Sequence, residues 1–140
     1  MEAGAIIETL ELKPHPEGGW YKQMFEDLIE GEPRARSTAI YYLLERGDRS
    51  HWHRVDAVEI WHFYAGAPLE LALSRDGVSQ KSLMLGNNLE IGERPQLVVN
   101  SGEWQSAKSL GDWTLCGCTV APGFEFSGFE MAPQGWTPGA

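Results

Sequence analysis

From Trp20 onward the chain is built of short runs in which apolar and polar residues alternate, interrupted by glycine, proline and aspartate. Alternation of period two predicts half-buried strands. The runs predict strands at 20–26, 36–44, 69–74, 78–85, 96–100, 104–108, 113–120 and 125–131. Arg75-Asp76-Gly77 joins two of them, and Asp-Gly between apolar runs is a hairpin signal. Ahead of these, Ile6, Ile7 and Leu10 recur at helical spacing and predict a short amphipathic helix over residues 2–10. Pro14 and Pro16 stop it, and Gly18-Gly19 permit an unusual backbone before the next strand. The run 36–44 is apolar almost throughout, which predicts cover on both faces. Many short strands with turn signals every 8–12 residues describe an all-β sandwich or barrel in one domain over residues 1–140.

The stretch Gly47–Gly66, GDRSHWHRVDAVEIWHFYAG, holds three of the four histidines. An unbroken extended chain would aim His51, His53, Val55, Ala57, Glu59, Trp61 and Phe63 to one side. Trp52, Arg54, Asp56, Val58, Ile60, His62 and Tyr64 would take the other. A bulge at Asp56-Ala57 would exchange the faces between the two halves. Two imidazoles and a carboxylate among apolar side chains need a ligand, a metal or each other, because burying them unpaired costs several kcal/mol.

Composition narrows the function classes. A net charge of −9 disfavours nucleic acid and anionic membranes as partners. The N-terminus lacks a basic segment followed by a long apolar one, and no apolar run reaches about 18 residues, so neither a signal peptide nor a membrane span is expected. Cys116 and Cys118 read as small buried thiols in a reducing cytosol, which makes the expected location cytoplasmic.

The central stretch resembles the first motif of the cupin superfamily, G-x5-H-x-H-x3/4-E-x6-G. Gly47, His53, Glu59 and Gly66 fall at its spacings, with Val55 at the position of the second histidine. Together with HPEGGW upstream and GDWTLCGCTVAPGFEF downstream, it resembles the small cupin-5 group over roughly residues 6–137. That resemblance implies a double-stranded β-helix, the cupin jelly roll, with a short N-terminal helix. It also implies a homodimer with the 36–44 strand near its interface, and a small-molecule ligand inside the barrel. The second motif's histidine would fall at Gln105. The residues carried over for a divalent metal are therefore His53, Glu59 and Gln105, a weak set, since a neutral amide is a poor ligand for zinc, nickel or ferrous iron. The cofactor stays open between a metal and none.

Without a metal, Glu59 would orient His53 as a general base and Gln105 would donate a hydrogen bond, with Tyr64 as the acid if it reaches the pocket. This resembles in outline the metal-free sugar-nucleotide epimerases of the superfamily. His15, Glu17, His51, Trp61 and Gln105 are the expected ligand-contacting residues, Trp61 as a stacking surface. Two alternatives accompany an epimerase or isomerase. One is a metal-dependent dioxygenase or isomerase using His51, His53 and Glu59, and the other is a non-catalytic binding or storage-like cupin.

Overall fold

The computed structural model describes residues 1–140. Helix α1 (Ala3–Leu10) is followed by β1 (Lys13–Pro14), β2 (Trp20–Glu26), β3 (Thr38–Glu45), β4 (Ser50–Val55), β5 (Val58–Gly66) and β6 (Leu69–Ser74). Then come β7 (Lys81–Leu85), β8 (Gln96–Val99), β9 (Trp104–Ser109), β10 (Trp113–Ala121) and β11 (Phe129–Met131). Two antiparallel sheets face each other, one in the order β1-β2-β3-β10-β5-β8 and the other β11-β4-β9-β6-β7. From β3 onward every connection except β6–β7 crosses between the sheets, which makes the architecture a jelly-roll sandwich.

Between the sheets, Tyr42, Leu44, Trp61, Leu69, Leu71, Leu73, Leu85, Val99, Cys116 and Cys118 form the main core. The apolar character of β3 on both faces has a local cause. Tyr42 and Leu44 point into this core, whereas Leu43 packs outside against Ala3, Ile6 and Leu12 of the α1 region. Helix α1 covers only one end of that outer face. Further along the same surface, Val58, Tyr64 and Val98 stand exposed, with Phe25 at its margin.

Three predicted boundaries move by two residues or more. The strand expected from residue 78 starts at Lys81, because the Asp76 carboxylate accepts the N–H groups of Val78 (2.8 Å) and Ser79 (3.0 Å) and holds them in a turn. The strand expected from residue 36 starts at Thr38, since Arg36 and Ser37 pair with the loop residue Asp27 instead. The last strand shrinks to Phe129–Met131, after a 3-10 turn at Phe126–Gly128. Beyond it the tail crosses the outer face of the second sheet. Trp136 lies edge-on to Trp52 (5.9 Å between ring centroids) and tilted against Trp104 (4.8 Å), and the Gly139 N–H meets the Gly77 carbonyl. No helix is long and apolar enough to cross a membrane.

Candidate functional site

The turn Asp56-Ala57 carries the chain from β4 in one sheet to β5 in the other. The faces do not exchange there. Val55, Ala57, Glu59 and Trp61 are all buried. The irregularity lies earlier, where the pairing of β4 with β9 slips between Ser50 and His53. That extra residue puts both Ser50 and His53 inside. It turns His51 out toward the tail, where its Nε2 meets the Pro133 carbonyl at 3.1 Å. His51 therefore stands apart from His53 instead of beside it. Tyr64 follows Ile60 and His62 onto the outer face, as alternation predicts, and is the extra residue of a second slip, in β5 opposite Leu115-Cys116. There its ring lies over Gly117, where a Cβ would strike it, and edge-on to Tyr41. Half exposed on that surface, Tyr64 does not reach the interior. His62 shares this outer face and meets the Thr119 hydroxyl at 3.0 Å.

The loop between β1 and β2, HPEGGW, brings two groups in. Gly18 and Gly19 have positive φ (109° and 76°), and a Cβ on Gly18 would run into the Arg49 carbonyl oxygen. Only glycine lets the backbone lie this close to β4. The loop is clamped by His51 N–H donating to the Glu17 carbonyl (2.9 Å) and by the Tyr42 hydroxyl donating to the Gly18 carbonyl. Glu17 Oε2 then sits 3.1 Å from His53 Nε2, with both side chains almost fully enclosed.

The protons of this pair follow from its partners. His53 Nδ1 lies 2.7 Å from the His51 carbonyl oxygen, which can only accept, so Nδ1 carries a hydrogen. The other ring nitrogen, Nε2, faces Glu17. Burial raises the Glu17 pKa to about 8, the nearby hydroxyls of Ser50 and Tyr42 offsetting only part of it. Burial likewise lowers His53. Near neutral pH burial therefore favours a protonated carboxyl beside a neutral imidazole. Ser50 Oγ, close by and fully buried, has no well-formed hydrogen bond of its own.

His53 and Gln105 are directly opposite on β4 and β9. Gln105 spans the gap to the other sheet. The Trp61 indole N–H, which can only donate, bonds Gln105 Oε1 at 2.9 Å, so the amide nitrogen faces Glu59 and donates to its Oε1 at 2.7 Å. Trp61 thereby fixes which way Gln105 points. Its ring is buried, edge-on to Tyr42 at 5.8 Å. Burial raises the Glu59 pKa as well.

These residues do not fit a transition metal. No group of three or more His, Cys, Asp or Glu side chains converges on a point. His53 is the only imidazole beside Glu59, and its outward nitrogen is taken by Glu17. Gln105 spends both amide atoms on neighbours. Val55 packs with Ala57 and Val120.

Next to the acid–base pair lies a cavity of about 70 Å³, lined by His15, Tyr21, Gln23, Thr38, Ile40, Cys118, Val120, Phe124 and Phe126. That is room for several waters or one small molecule. His15 connects the two, lining the cavity with its Nδ1 3.9 Å from Glu17 Oε2. His53 packs against Phe129 (5.3 Å), which in turn meets Phe124 and Phe126. Glu17, His53, Glu59 and Gln105 are thus assembled with His15, whereas His51 and Tyr64 lie outside. Sequence reasoning missed Tyr21, Tyr42, Phe124 and Phe126. Period two in β2 would have given Tyr21, but the continuous apolarity of β3 hides the parity of Tyr42.

A family model described as "Cupin superfamily (DUF985)" matches residues 4–132. A crystal structure of protein SO0799 from Shewanella oneidensis is 37% identical, with a TM-score of 0.91, covering 96% of this chain and 86% of that one. A hypothetical protein from Leishmania major is 30% identical, with a TM-score of 0.86, over 97% of this chain and 90% of that one. Oxalate decarboxylase from Bacillus subtilis is 12% identical at a TM-score of 0.63, over 84% of this chain and 29% of its own, a likeness of fold alone. A search of curated proteins finds no match.

Proposed function

This chain belongs to the Cupin_5 family of the cupin superfamily, and from that premise we propose that it is a small-molecule-binding cupin that performs epimerase- or isomerase-like proton transfer without a metal. The observation that carries the reading is the Glu17–His53 pair, two buried groups 3.1 Å apart beside a cavity, the carboxyl favoured with its proton and the imidazole without. Moving that proton from Glu17 Oε2 to His53 Nε2 leaves a carboxylate base and an imidazolium acid side by side. The carboxylate takes a proton from a carbon next to a carbonyl, and the imidazolium delivers its own to the carbonyl oxygen. Reversal on the other face or the neighbouring carbon gives the product and restores the pair. Groups whose environments push their affinities for protons in opposite directions suit such acid–base exchange.

Solvent deuterium is the readout, because enolisation washes it into the substrate carbon. Incubation with a panel of small aldoses, ketoses and other carbonyl compounds in heavy water, followed by NMR, should show exchange with the wild type. Glu17→Gln and His53→Ala should slow it by roughly 10²–10⁴, and Tyr64→Phe should leave it unchanged. Tight binding of a panel compound without exchange would support a pure binding module instead. The reading includes a homodimer in the cytosol. The exposed apolar outer face of the β3–β10–β5 sheet supports the first, and the two free, buried thiols support the second.

A further inference from the structure

We propose that the cavity takes an uncharged small molecule that lays a flat apolar face against Tyr21, Phe124 and Phe126 and offers a hydrogen-bond acceptor to the Nε2–H of His15. The inference rests on the reading of this cavity as the ligand site and names the chemical class of its occupant.

Charge is the first argument. None of the nine lining residues is Lys, Arg, Asp or Glu. A buried anion there would lack a counter-charge, and unpaired burial of charge is strongly unfavourable. The nearest arginine on the adjoining loop is already committed. Arg34 holds Asp56 through both terminal nitrogens (3.1 and 2.8 Å) and the Gly123 carbonyl through Nε (2.7 Å), with Glu125 at 3.6 Å. Lys13 Nζ lies over the Tyr21 ring, 5.5 Å from its centroid, but is not among the lining residues, so a diphosphate or a dicarboxylate finds no cation in the cavity wall.

The second argument is an unused donor. The side chain of His15 is only 6% exposed. Its Nδ1 accepts the backbone N–H of Glu17 at 3.1 Å, so the neutral ring carries its hydrogen on Nε2. Nε2 has no partner within the chain, and the ring is held in place edge-on to Tyr21 (4.5 Å) and Tyr42 (5.6 Å). That N–H is open to the cavity and makes no bond within the chain, so it can donate to an acceptor that enters. Tyr21 and Gln23 line the same space.

The third is the shape of the apolar wall. Phe124 is pinned by its N–H donating to Thr38 Oγ1 at 2.9 Å, and Phe126 stands perpendicular to it at 5.0 Å. Phe126 is 56% exposed although it lines the cavity. It forms a rim that gains cover when a flat molecule enters.

Three nearly isosteric probes separate the possibilities: benzyl alcohol is neutral, benzoate is an anion and benzylammonium is a cation. Titrations at pH 7 followed by amide NMR should show benzyl alcohol shifting residues of β2, β3 and the 122–129 loop. Benzoate should bind at least tenfold more weakly. His15→Leu should weaken benzyl alcohol roughly fivefold, as expected for one lost hydrogen bond. Phe126→Ala, an exposed change that leaves the core alone, should weaken it similarly. Benzoate or benzylammonium binding as tightly as the alcohol would overturn the inference, as would no shift with any probe up to about 10 mM. Such a failure leaves the deuterium-exchange result standing, so the ligand class and the proton chemistry are tested separately.

Discussion

Glu17 and His15 are neighbours in sequence, and burial moves them in opposite directions, which gives stability a particular pH profile. The Glu17 pKa rises from 4.5 to about 8, so between those values the folded state holds a proton that the unfolded chain has released. Stability therefore falls as pH rises through that window. The His15 pKa drops from 6.5 to about 4, so between 4 and 6.5 the unfolded chain holds the extra proton and stability rises with pH. His53, also lowered by burial, acts with the same sign below 6.5. Above 6.5 the histidines stop contributing and the raised carboxyls dominate. Urea unfolding from pH 6.5 to 8 should show stability declining, by at most about 1.4 kcal/mol per pH unit for one proton. Glu17→Gln should reduce that slope and leave the part due to Glu59. A flat or rising wild-type profile would mean that Glu17 is not held protonated.

At the level of elements, alternation in the sequence is enough to place β2 at Trp20–Glu26 and β6 at Leu69–Ser74, and to put His53, Glu59 and Trp61 indoors together. It fails wherever one residue is added to a strand. The slips at Ser50–His53 and opposite Leu115-Cys116 are settled by pairing with other strands, and no local pattern announces them. The first of them decides the position of His51, whereas Tyr64 keeps the outer face that alternation assigns it. The Glu17–His53 contact is illegible for a related reason, since it joins residues 36 positions apart through a glycine loop. The superfamily's metal motif can be tested on these same strands. Val55→His with Gln105→His restores two imidazoles on β4 and β9, and calorimetry should find zinc or nickel affinity raised at least tenfold. Equal affinity in the double variant and the wild type would show that Val55 and Gln105 do not occupy the ligand positions.

For the whole molecule, the asymmetry between the two outer faces matters most. The tail covers the β4–β9–β6 face with Trp136, whereas α1 leaves much of the β3–β10–β5 face open. Exposed apolar surface of that kind is what supports the proposed dimer. Light scattering at micromolar concentration should give a dimer, and Tyr64→Glu should shift it toward monomer by placing a charge beside Tyr41. A wild-type monomer would remove the dimer from the reading. The covered face has a practical use of its own. Because Gly139 is tied to Gly77 on the far hairpin, a label or surface coupled after Ala140 would be anchored on the side away from both the ligand mouth and the bare sheet. The protein immobilised by that handle would keep its pocket and its association surface free.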